Sequence, residues 1–155
     1  MKQLLAVFLS LAIPISVTAA QSGYHVTYDG GSLADLKSGT GVHLAITQDK
    51  ILFTKDGKEL ATIPASAVTE ISYGQDVHRR VGAAIGLGVV SFGLGALLAL
   101  SKSKKHFVGL TWAGGDKKGG LAMQCDKNEY RGILEGLQGI TGLHAVDSST
   151  LTVKN

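Results

Sequence analysis

Twenty consecutive residues, Val81 to Leu100, carry no charge, and that run limits what the rest of the chain can fold into. Within it Leu87, Val89, Val90, Phe92, Leu94, Leu97, Leu98 and Leu100 leave no polar face. In water such a segment has to be buried, yet a chain of 155 residues builds one globular domain with little spare core. Membrane insertion is the reading the run favours. Arg79 and Arg80 precede it and Lys102, Lys104 and Lys105 follow it, so both ends are cationic and suit an anionic headgroup interface. A single span usually shows a charge imbalance that sets its orientation, and these flanks show almost none.

Two geometries compete. A helical hairpin turning near Ser91-Phe92-Gly93 brings both ends back to one interface; each arm of about ten residues reaches roughly 15 Å, half of a 30 Å hydrocarbon core. A true span instead places five strands on one side and two strands plus a helix on the other, and neither half closes a core. The hairpin must hide its turn's backbone polar groups against protein, and self-association supplies that protein. Gly82 and Gly86, Ala84 and Gly88, and Ser91 and Gly95 are four apart, a spacing that lets membrane helices approach closely. A homo-oligomer packed through Gly82, Gly86, Gly88 and Gly95 is thus the alternative to simple membrane attachment.

The N-terminus has the order of a secretory signal: Lys2, an apolar stretch from Leu4 to Ile15, then small residues, with cleavage expected after Ala19 or Ala20. An uncleaved anchor is the competing reading, but the apolar core is short for a span and Pro14 interrupts it. Removing residues 1–20 takes away Lys2 and no acid, which lowers the formal net charge from +3 to +2. That bias is too weak to imply nucleic acid as a partner. Cys125 is the sole cysteine, so no intrachain disulfide forms, and its apolar neighbours mark it as a small buried hydrophobe. The expected location is the bacterial envelope, on the periplasmic side of a membrane.

Residues 21–155 read as one mainly β domain interrupted at 81–100. Tyr24, Val26 and Tyr28 alternate before an expected turn at Asp29-Gly30-Gly31, and Val42, Leu44 and Ile46 pair with Ile51 to Thr54 across Gln48-Asp49-Lys50. Asp56-Gly57 supplies the positive φ values of a two-residue hairpin turn, so Leu60 to Ile63 is the returning strand. Pro64 ends it. Val68 to Tyr73, His106 to Trp112 and Gly120 to Cys125 bring the count to about seven antiparallel strands. A helix then starts at Asp126, whose capping box is completed by Glu129, and stops at Gly142. Tyr130, Ile133, Leu134, Leu137 and Ile140 form its apolar stripe, with Gly132, Gly136 and Gly139 on the opposite face.

Catalytic chemistry finds no foothold in the sequence. Gly82-x-x-x-Gly86-x-Gly88 matches a nucleotide-loop spacing but lies in an apolar run without a parallel sheet around it. His25, His43, His78, His106 and His144 are scattered, with no pair at metal-ligating helical spacing, so no metal or other cofactor is expected, although separate strands could still bring two together. Asp29, Asp35, Asp49 and Asp56 sit in or beside turns.

The order of elements from Val42-His43-Leu44-Ala45-Ile46 through Ile63-Pro64, Val68 to Tyr73 and His106 to Trp112, closing on the helix from Asp126 to Gly142, resembles the pleckstrin-homology-like fold in its bacterial versions. The resemblance implies a β-sandwich or barrel with a C-terminal helix, and binding or scaffolding of lipid or protein in place of catalysis. The basic cluster of phosphoinositide-binding members is absent from the first hairpin. The function expected is a non-catalytic, membrane-attached envelope module whose partners are membrane lipid, a protein, or further copies of itself.

Overall fold

The computed structural model describes residues 22–33, 36–85, 105–115 and 117–148. The described residues form a mainly β structure. The strands are β1 (Ser22–Gly31), β2 (Thr40–Ile46), β3 (Lys50–Lys55), β4 (Lys58–Pro64), β5 (Val68–Tyr73), β6 (His106–Gly114), β7 (Lys117–Cys125) and β8 (Val146–Asp147). Two helices accompany them: α1 (Val77–Ile85) and α2 (Tyr130–Thr141). One sheet takes all eight strands in the order β4-β3-β2-β1-β7-β6-β5-β8 and does not close, so β4 and β8 are its edges. Every pairing is antiparallel except that of β8 with β5, which is parallel.

The first seven strands lie where alternation placed them, because one face of each is needed for the core. Val26, Tyr28, Val42, Leu44, Ile51, Phe53, Ile63, Ile71, Leu110, Leu121 and Met123 join Ile133 and Leu137 of α2 in a single buried cluster. Members come from both halves of the sheet, so it must curl around them. The β3–β4 turn has Asp56 at φ 49° and Gly57 at φ 76°, the positive values that its Asp-Gly dipeptide called for.

Three expectations need correction. Asp29-Gly30-Gly31 is no turn; β1 runs through it, with a register shift against β7 between Tyr28 and Gly30. The capping box does not form: Asp126 Oδ1 accepts from the Asn128 amide at 2.8 Å, the chain makes a turn, and α2 starts only at Tyr130. Competition from this local Asx-type bond is the reason. The glycines of α2 do not present one free face either. A Cβ on Gly132 would meet the Tyr24 hydroxyl at 3.1 Å and one on Gly136 would meet Ile46 Cδ1 at 3.0 Å, so both let the helix settle on β1 and β2.

Gly142 ends α2 as expected, in the left-handed conformation at φ 72° with its amide donating to the Gln138 carbonyl at 2.8 Å. Gly139, by contrast, has open space where its Cβ would be. Gly139→Ala should therefore raise stability by about 1 kcal/mol, the helix-propensity difference alone. A rise in the urea midpoint at unchanged slope is the measurement; a fall would place an unseen neighbour there.

Candidate functional site

The outer face of the sheet, away from the core, holds what the fold leaves over for function. α1 lies on it. Val77 and Val81 are fully buried and pack with Phe107, Ala122 and Ile85 in a second apolar cluster. Small residues make the approach close: a Cβ on Gly109 would meet Val77 Cγ1 at 2.6 Å, and one on Gly120 would meet Val81 Cγ1 at 2.9 Å and Ile85 Cγ2 at 3.0 Å. Gly109, Gly120 and Ala122 thus form a shallow bed for Val77, Val81 and Ile85, spaced four apart on one side of the helix.

The docked helix includes the start of the uncharged run. Val81 and Gly82, the first residues of that run, are buried as part of α1. No helix among the described residues is long and apolar enough to cross a membrane. Leu87, Val89, Val90, Phe92, Leu94, Leu97, Leu98, Gly86, Gly88 and Gly95 lie outside the described residues, as do Lys102, Lys104 and residues 1–20, where a secretory signal is expected. What the fold does settle is where the flanks are. β5 and β6 are antiparallel neighbours, with Tyr73 opposite Val108, so the chain leaves and re-enters the same sheet. All eight described strands belong to this one sheet.

The basic flanks have separate roles. Arg80 donates from Nε to Glu70 Oε1 at 2.7 Å and from its terminal nitrogen to Oε2 at 3.0 Å, a two-pronged pair that keeps its guanidinium at home and raises its pKa. Arg79 is exposed beside it. Gln75 Nε2 donates to the Lys105 carbonyl at 2.7 Å, tying the returning chain to the start of α1.

Between α1 and the outer face, His78 Nε2 lies 2.6 Å from Asp29 Oδ2, with each side chain about 15% exposed. The ring also stands edge-on to Phe107, centroids 4.9 Å apart. Burial lowers the His78 pKa and outweighs the opposing pull of Asp29 and Asp76, so the imidazole is held neutral below its usual value. The unfolded chain then binds the extra proton more readily. Stability from this group is complete above about pH 6.5 and is lost as pH falls from there toward the folded value. Urea midpoints measured from pH 7 to pH 5 should fall in the wild type and fall less in His78→Gln; equal slopes would remove His78 from the cause.

A cleft of about 360 Å³ opens beside the start of β6 and the end of β7, lined by His25, Thr27, Lys105, His106, Gln124, Asp126 and Lys127. His106 stacks on Tyr130 of α2 at 4.2 Å with the rings nearly parallel. Cys125 also lines the cleft but is only 4% exposed, and burial, aided by the Glu129 carboxylate, pushes its thiol up to about 12. At neutral pH it is a protonated thiol and a poor nucleophile. With Lys105 and Lys127 beside Asp126, the cleft offers charges of both signs and hydrogen-bonding side chains suited to holding a polar group. Next to it, His25 and His43 face each other across β1 and β2 with ring centroids 3.8 Å apart. Strand alternation already pointed both outward, but the eight-residue connection from Ser32 to Gly39 hid the register that makes them neighbours. Among the described residues no group of three or more His, Cys, Asp or Glu converges as a metal site. The chain matches no protein-family model and has no significant match among curated proteins.

Proposed function

We propose that this chain is a non-catalytic module of the bacterial envelope that attaches to a membrane through residues 86–104 and presents a small β-domain for contact with lipid or protein. The observation that carries the reading is the shared root of the insertion: α1 is docked on the sheet by Val77 and Val81, and β6 resumes beside β5. An apolar segment that departs from and returns to one rigid sheet suits a loop dipping into one leaflet from one side. With residues 81–85 kept in the domain, the uncharged remainder is 86–100, and two arms of about seven residues reach roughly 10 Å as helix. That is about a third of a 30 Å core.

The position of the cleft supports the same reading. Lys105, the first described residue after the apolar run, lines it beside Lys127 and Asp126, and a basic residue held near an anionic surface is worth about 1 kcal/mol. The pleckstrin-homology-like assignment belongs to this proposal too. It draws support from two meanders, β1 to β4 and β5 to β7, joined through β1 and β7 and covered on the inside by a C-terminal helix.

Replacing residues 86–104 by a Gly/Ser linker tests it. The linker has to run from near Gly120, where Ile85 lies, back to Lys105, a path of roughly 20 Å at about 3.3 Å per residue. The replaced protein should move from the membrane fraction to the soluble fraction with its β spectrum intact. Retention on membranes after the replacement would sink the assignment of attachment to this segment.

A further inference from the structure

We infer that His25 and His43 together form a surface site for a divalent transition-metal ion, taken most strongly as Cu²⁺ and more weakly as Ni²⁺ or Zn²⁺. The site lies beyond the attachment proposed above and does not depend on it. The register of β1 and β2 sets the two residues directly opposite each other, and their rings are already in contact, with centroids 3.8 Å apart and planes tilted by 59°. Both side chains are exposed, on the face that alternates away from the core residues Val26, Val42 and Leu44. A metal therefore has open access.

Neutral imidazole suits the borderline ions, and the affinity of such nitrogen sites rises along the series to Cu²⁺. Two paired strands hold the donors side by side. Once one nitrogen has bound, the other is present at high effective concentration with little further ordering of the chain. No third His, Cys, Asp or Glu converges with them among the described residues, so water completes the coordination. The arrangement is that of an exchangeable surface site. Thr54, opposite His43 on β3, is uncharged; the charged groups Lys105, Asp126 and Lys127 line the cleft with His25.

Calorimetric titration of the untagged full chain with Cu²⁺, Zn²⁺ and Mg²⁺ at pH 7.5 decides the matter. One equivalent of Cu²⁺ should bind, more tightly than Zn²⁺, with no response to Mg²⁺. His43→Gln should weaken Cu²⁺ binding by about tenfold or more, while His144→Gln should leave it unchanged. His43 is the decisive position because it is remote in sequence from the terminal amine, which can itself bind copper. Since both residues are exposed, circular dichroism of the variant should match the wild type. Copper binding as tight in His43→Gln as in the wild type would overturn the inference, leaving the two rings as a packing pair. So would a wild type with no saturable copper binding.

Discussion

Gly31→Ala should destabilise the domain by about 3 kcal/mol or more, a large share of the roughly 5–15 kcal/mol that keeps a domain folded. Gly31 has φ 142°, a conformation that L side chains rarely adopt. A Cβ there would collide with the Gly120 carbonyl oxygen and lie 2.6 Å from Leu121 Cα. Those are backbone atoms of β7, so no rotamer change relieves the clash. The close approach is held by its neighbour: the Ser32 amide donates to the Gly120 carbonyl at 2.8 Å, and the Gly120 amide donates to Ser32 Oγ at 2.8 Å. Relief requires β1 to part from β7, and that seam joins β1 to β4 with β5 to β8 in the strand order. Gly23→Ala in the same strand is the control, since nothing lies within 4 Å of its added Cβ, and its effect should stay within about 0.5 kcal/mol. Urea unfolding of the two variants checks the contrast. Equal midpoints would mean that β1 and β7 do not approach as closely as described.

Leu137→Ala should cost about 2–5 kcal/mol, the range for removing a fully buried leucine and leaving a cavity. α2 touches β5 and β6 on one side, while its Gly132 and Gly136 rest on Tyr24 of β1 and Ile46 of β2 on the other. It bridges the two halves of a sheet that does not close. Loss of Leu137 loosens that bridge at its centre, whereas Leu134, only partly buried, should cost less when truncated. Guanidinium unfolding followed by far-UV circular dichroism measures both. A Leu137→Ala midpoint above that of Leu134→Ala would show that the stripe is not anchored where the packing places it.

The two residues behind these effects differ in how visible they were. Leu137 belongs to an i, i+3, i+4, i+7 stripe, and a helix that must bury one side writes that stripe into any local window. Gly31 looked like part of a turn, because Asp-Gly-Gly is turn chemistry wherever nothing else intervenes. Its real reason is a strand nearly ninety residues away. The same division runs through the candidate site. Arg79 and Arg80 were both read as interfacial from their place beside the apolar run, but Glu70 of β5 holds Arg80, and α1 draws Val81 and Gly82 into the domain. Gly109, Gly120 and Ala122 had been part of ordinary strands; only with β6 beside β7 do they become one bed wide enough for a helix.

By itself the sequence determined the first seven strands, the Asp56-Gly57 turn, the C-terminal helix and its Gly142 stop. Each is written in side-chain alternation or in backbone preferences that act over a few residues. Tertiary structure decided the pairing of His25 with His43, of His78 with Asp29, the seat of α1 on the outer face and the addition of β8. These depend on which strands lie side by side and in what register. Register is fixed by burying the whole inner face at once, a global balance of packing against chain entropy to which no local window has access.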